Sequence, residues 1–202
     1  MTRLNRRQFL ALVSASAVAP LGQAAAQGAI FQRIPALEYH NINYSDQFNN
    51  RMTPEWFQEQ MQWLGEVGYQ GLNVHELRAF AREGVPMPEK SVILTFDLGR
   101  ATSNLVNVIA PTLQQFGLHG IVYVQTPETD DPFSIDSDEQ REWWRLYRGW
   151  YDAGVISYGS HSVTHRSFYQ LDRRAIVWEL AQSKQYLEEG IGVPVDTFAY
   201  AF

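Results

Sequence analysis

The 202-residue sequence contains no cysteine. Disulfide frameworks, thiolate metal sites and thiol nucleophiles are therefore excluded, and any metal must take nitrogen or oxygen ligands. Basic residues are also few: 16 Lys and Arg stand against 22 Asp and Glu, for a formal charge of −6. No basic cluster interrupts this acidity, which argues against nucleic acid as a partner. Long apolar runs are missing too; the stretch Phe9 to Leu21 is too short to span a bilayer, so no transmembrane helix is expected in the mature chain. Low-complexity tracts and short repeats are absent. What remains, at 45% hydrophobic and 19% charged, is enough to bury the core of one globular domain.

The first 26 residues stand apart. Arg3, Arg6 and Arg7 precede the apolar stretch, and Ala24, Ala25 and Ala26 supply a small-residue cleavage site, the layout of an export signal. Asn5-Arg6-Arg7-Gln8-Phe9-Leu10 is similar to the bacterial twin-arginine signal, the alternative being an ordinary secretory leader. Removing residues 1–26 takes the formal charge to −9, because the three arginines go and no acid does. A periplasmic or secreted protein made of residues 27–202 is expected.

Along that domain, apolar runs alternate with amphipathic segments. Ile34 to Tyr39 reads as a first strand, followed by a helix opened by Thr53 and Pro54, carrying Phe57, Met61 and Leu64, and closed by Gly68. A weak strand over Leu72 to Val74 and a short helix from His75 to Glu83 lead to Ser91 to Gly99, an apolar run that ends in a carboxylate. A helix through Leu105, Ile109 and Leu113 and a strand from Ile121 to Val124 complete a βαβ unit. Ser137 and Gln140 form a capping box for an aromatic-rich helix. Its Trp143, Trp144, Tyr147 and Trp150 suit either a core or a sugar-stacking platform. Val155 to Gly159 is the next strand. A helix from Asp172 to Glu189, with Ile176, Leu180 and Leu187 inward and Gly190 as its stop, precedes a final strand from Thr197 to Phe202. A buried-type strand at the terminus would leave a sheet edge uncovered, so the chain reads as C-terminally truncated. The alternation supports an α/β barrel, incomplete in this chain.

Asp97 falls at the C-terminal tip of its strand, where α/β folds do their chemistry, although aspartate also caps turns. His161 and His165, four residues apart, follow another strand and would present two imidazoles to one side if the loop turns helically, a geometry divalent metals accept. His40 would line the same mouth from the first strand, or be satisfied by local backbone; Tyr200 would do so from the last. His75 and His119 fall on surface elements and carry no expected role.

Leu94-Thr95-Phe96-Asp97-Leu98-Gly99, Gly159-Ser160-His161-Ser162-Val163-Thr164-His165 and Thr197-Phe198-Ala199-Tyr200-Ala201-Phe202 resemble three successive motifs of the NodB-type polysaccharide deacetylases. Leu37-Glu38-Tyr39-His40 is similar to the leader strand of the subgroup that acts on poly-N-acetylglucosamine. The resemblance implies a distorted (β/α) barrel that removes acetyl groups from an N-acetylated polysaccharide or oligosaccharide. It further implies Asp97 as general base and His161 and His165 as ligands of a divalent metal, zinc or a similar ion. Leu98 departs from the pattern, because it stands where the family has a metal-binding aspartate. Ala201 replaces a proline, and the segment expected to carry a general-acid histidine is absent. Leu98 leaves three outcomes open: weak metal binding with residual activity, Asp97 recruited as ligand, or a non-catalytic glycan-binding domain on the same scaffold.

Overall fold

A computed structural model describes residues 33–44, 52–98, 102–126 and 138–202. The export signal, the glycine after Leu98, the stretch over residues 127–136 and Ser137 lie outside the described residues. The elements alternate as β1 (Ala36–Tyr39), α1 (Pro54–Val67), β2 (Gln70–Gly71), α2 (Val74–Arg78), β3 (Ser91–Leu98) and a helical run α3. That run comprises Thr102–Asn104, a π-helical turn over Leu105–Ile109, and Ala110–Gln115. There follow β4 (Gly120–Val124), α4 (Asp138–Asp152), β5 (Ile156–Ser160) and α5 (Arg173–Ile191). All strand pairs are parallel, in the order β1-β3-β4-β5, with β2 paired to the first residues of β3. This is the α/β architecture expected, and among the described residues the sheet does not close on itself.

Register divides the sheet into two faces. Parallel partners share a face, so Tyr39 lies level with Phe96, Phe96 with Val122 and Val122 with Tyr158. These side chains, with Leu94, Leu98, Val124 and Ile156, form the core against α1, α3, α4 and α5. The other face carries Glu38, Thr95, Asp97 and Tyr123, which are only half-buried or exposed. Alternation thus sends Asp97 and Leu98 to opposite sides.

Local signals explain the helix ends. The Thr53 hydroxyl accepts from Trp56 N at 3.3 Å, and Gly68 closes α1 in the left-handed region at φ 85°. The weak strand sits two residues earlier than the sequence suggested. Asn73 accepts from Glu76 N while Glu76 accepts from Asn73 N, a reciprocal cap that claims Val74 for α2. α5 runs through Gly190 and stops at Gly192, φ 74°. Gly190 lies inside the helix, and it is glycine there because a Cβ would come within 2.4 Å of the Trp144 indole. The inward residues of α5 are Glu179, Ser183, Tyr186, Leu187 and Ile191, while Leu180 is exposed. The aromatic helix α4 contributes mainly to the core: Trp144 and Tyr147 are buried, and Tyr147 stacks on Tyr158 at 5.2 Å. The run from Thr197 to Phe202 is not a strand. It touches β5 through one bridge, Ser160 to Phe198.

Candidate functional site

The C-terminal ends of β1, β3 and β5 bring the chemistry-bearing residues together. Asp97 projects from β3, and its carboxylate Oδ2 lies 4.0 Å from His161 Nε2. The His161 and His165 Nε2 atoms are 3.0 Å apart, with the rings edge to face. A loop, not a helical turn, makes this approach: Ser162 and His165 adopt φ of 68° and 55°, which fold the segment back on itself.

That strained loop is held from three sides. Buried Glu179, from α5, accepts hydrogen bonds from Val163 N at 2.8 Å, from Thr164 N at 3.1 Å and from the Thr164 hydroxyl. His165 N donates to Ser162 Oγ, and Ser162 N donates to Ser160 Oγ, which itself donates to Ser183 Oγ. Thr126 N donates to the Ser162 carbonyl at 3.0 Å.

The C-terminal segment forms a fourth wall. Ala199 N donates to the Ser160 carbonyl, and the Ala199 carbonyl lies 3.0 Å from His161 Nδ1. A carbonyl can only accept, so the Nδ1 proton points to it and the Nε2 lone pair faces Asp97 and His165. Lys184 secures this segment by donating to Glu188 and to the Val195 carbonyl, both at 2.6 Å.

The electrostatics follow from partial enclosure. Burial raises the Asp97 pKa from 3.8 to about 6, and nearby Glu38 adds to the rise while His40 and His165 oppose it. Burial lowers the pKa of both imidazoles below the usual 6.5; at His161 the Ala199 carbonyl opposes the shift, and at His165 the neighbouring His161 adds to it. Both rings are therefore neutral at pH 7; with His161 Nε2 bare, His165 Nε2–H donates to it at 3.0 Å, a proton that moves to the other ring nitrogen when both Nε2 atoms face a cation. Among the described residues, one donor atom from each of Glu38, His40 and Asp97 lies within 4.8 Å of the other two.

His40 stands at this mouth, about half-exposed and 3.6 Å from Glu38. Tyr200 is 69% exposed, and its ring packs edge-on against Phe198 and Phe168. Phe202, unassigned from sequence, meets the His165 ring at 5.1 Å. Sequence reasoning also passed over Glu38 and Glu179. The first had a signal, since a residue two before His40 in a strand shares its face. The second had none, since an acid in a helix ordinarily reads as solvated. His119 is not free on the surface: its ring nitrogens lie 2.8 Å from the Gly154 carbonyl and 2.9 Å from Ser157 Oγ.

The family model for polysaccharide deacetylases matches residues 84–202, a span that holds Asp97, both histidines and Tyr200. The chain belongs to the polysaccharide deacetylase family. Among curated relatives of this deacetylase-family chain, a poly-beta-1,6-N-acetyl-D-glucosamine N-deacetylase of Escherichia coli K12 is 29% identical over 150 residues, covering 69% of this chain and 22% of that protein. A protein of Bacillus subtilis named as a polysaccharide deacetylase is 25% identical over 156 residues, covering 77% of this chain and 52% of the relative. The chain thus spans about a fifth to a half of these relatives. Solved structures share the fold. The Streptococcus pyogenes deacetylase PplD superposes with a TM-score of 0.66 at 22% identity, covering 83% of this chain and 73% of that one. IcaB from Ammonifex degensii gives 0.64 at 21% identity, with the same two coverages.

Proposed function

We propose that residues 27–202 form an exported, metal-assisted de-N-acetylase domain acting on an N-acetylglucosamine-containing polysaccharide. The observation that carries the reading is the convergence of one carboxylate, Asp97, with two neutral imidazoles from a separate strand end. Their donor set fits a divalent ion of the zinc class. The Nε2 separation of 3.0 Å is the bite two imidazoles offer to an ion with bonds of about 2 Å, and the Ala199 carbonyl fixes the tautomer that leaves Nε2 free. His161 and His165 would hold the ion. When bound, it would polarise the amide carbonyl and lower the pKa of water.

Asp97 does the proton work. With its pKa at about 6 it is largely ionised at neutral pH yet basic enough to take a proton from the attacking water. That proton can then pass to the leaving amine, with acetate and a free amino sugar as products. His40, at the mouth, and Tyr200, a largely exposed aromatic residue of the kind that packs on the C–H face of a sugar, are the proposed substrate contacts. The name of the Escherichia coli relative supports poly-β-1,6-N-acetylglucosamine as the glycan. The leader-like residues 1–26 and their paired arginines support export by the twin-arginine route to the periplasm or beyond. No helix among the described residues is long and apolar enough to cross a membrane.

A second reading has its own observation. Leu98 is buried in the core, so position 98 contributes no ligand, and a glycan-binding domain without turnover is the competing function. Acetate release from poly-β-1,6-N-acetylglucosamine and chitooligosaccharides, measured with zinc and beside Asp97→Asn, separates the two. Release by the natural chain alone supports the hydrolase; glycan binding without release by either supports the binding domain.

A further inference from the structure

We propose that Glu38 supplies the carboxylate that position 98 lacks, so that the cation-binding set of this chain is Glu38 and Asp97 with the imidazoles of His161 and His165, while His40, 3.6 Å from Glu38, stays at the mouth as a substrate contact. The inference rests on the metal-assisted reading above. Leu98 is 2% exposed and packs in the core with Phe96 and Val124, on the side of the sheet away from Asp97. No small rotation of its side chain would bring position 98 to the imidazoles. Glu38 lies level with Thr95 in the parallel register, so Glu38 and, two residues on, His40 share the face that carries Asp97. A donor atom from each of these three residues falls within 4.8 Å of the other two.

On the opposite flank, the His161 side chain is almost fully enclosed and aims Nε2 at Asp97, 4.0 Å away, and at His165, 3.0 Å away. Asp97 is common to both flanks. Two neutral imidazoles and one carboxylate leave a dication half compensated, whereas a second carboxylate balances it. The mixed oxygen and nitrogen donors suit zinc, cobalt or manganese better than a soft ion.

The test is zinc titration by calorimetry, with the visible absorption of bound cobalt, on the natural chain, Glu38→Gln and His161→Ala. Because Glu38 is exposed, Glu38→Gln should melt at the same temperature without metal. It should bind zinc at least about tenfold more weakly and give an altered cobalt spectrum. Unchanged affinity and spectrum would overturn the inference. If His161→Ala loses zinc while Glu38→Gln keeps it, the imidazole pair stands and the role of Glu38 falls. If Glu38→Gln loses zinc while His161→Ala keeps it, Glu38 stands and the imidazole reading falls. A natural chain that binds no zinc removes both.

Discussion

Glu179→Ala should be among the most destabilising single changes near the site, although Glu179 touches neither imidazole. Its carboxylate, 2% exposed, accepts two backbone N–H groups and a hydroxyl from the loop between the histidines. Hydrogen bonds to a charged group are worth about 1.5–3 kcal/mol each, and a buried donor left unmatched costs about 1–3 kcal/mol. Thr164 is only half-buried, so water can rescue its hydroxyl and part of its N–H. Val163 is fully buried, and its N–H has no such recourse. The same loop holds Ser162 and His165 at positive φ, at about 1–3 kcal/mol apiece, and the Glu179 contacts oppose that strain. A loss of about 3–5 kcal/mol is expected for alanine. Glutamine keeps one accepting oxygen and should lose about half as much. Urea denaturation at pH 7, read by tryptophan fluorescence, measures both. A loss below about 1 kcal/mol for Glu179→Ala would refute the argument, because the loop would then be held by something else.

Four further changes probe the same account. Asp97→Asn should abolish acetate release by the zinc-loaded chain and, in metal-free protein, stabilise the fold by about 1–2 kcal/mol at pH 7, discounted for the solvent that still reaches the carboxylate. The sign follows from a folded pKa of about 6 against 3.8 unfolded. The folded state holds more protons between those values, so stability falls as pH rises through the window, and denaturation melts from pH 4 to 7 should show this slope in the natural chain but not in the variant. Activity should run the other way, rising with pH through about 6 as Asp97 ionises. Leu98→Asp should lose about 3 kcal/mol or more, since its carboxylate would enter the apolar layer with Phe96 and Val124; a variant that is equally stable and binds zinc more tightly would show position 98 turned toward the site. Gly159→Ala should cost about 1–3 kcal/mol by denaturation, because a Cβ there would sit 2.4 Å from the Tyr123 ring and 2.6 Å from Thr197 Oγ1.

Much of this was legible in the sequence, for identifiable reasons. α1 could be read from Thr53, Pro54 and Gly68 because each acts on backbone within one turn. β3 could be read because an apolar run with no helical spacing has few other uses. The meeting of Asp97 with the histidines followed from topology alone: parallel strands end at one edge. The errors arose where distant residues decided the outcome. Gly190 resembles a helix stop, but its missing side chain makes room for Trp144, 46 residues away in sequence, and α5 continues to Ile191. Thr197 to Phe202 has strand composition, yet a single bridge ties it to β5, and its main service is the Ala199 carbonyl. The histidines meet through left-handed residues that are neither glycine nor asparagine, a conformation composition does not advertise.

Anomalous diffraction at the zinc edge, from crystals of the chain grown with zinc, tests the central claim most directly. The account expects one strong peak about 2 Å from the Nε2 atoms of both His161 and His165, with the Asp97 carboxylate alongside. A peak elsewhere, or imidazoles turned away from each other and from Asp97, would contradict it.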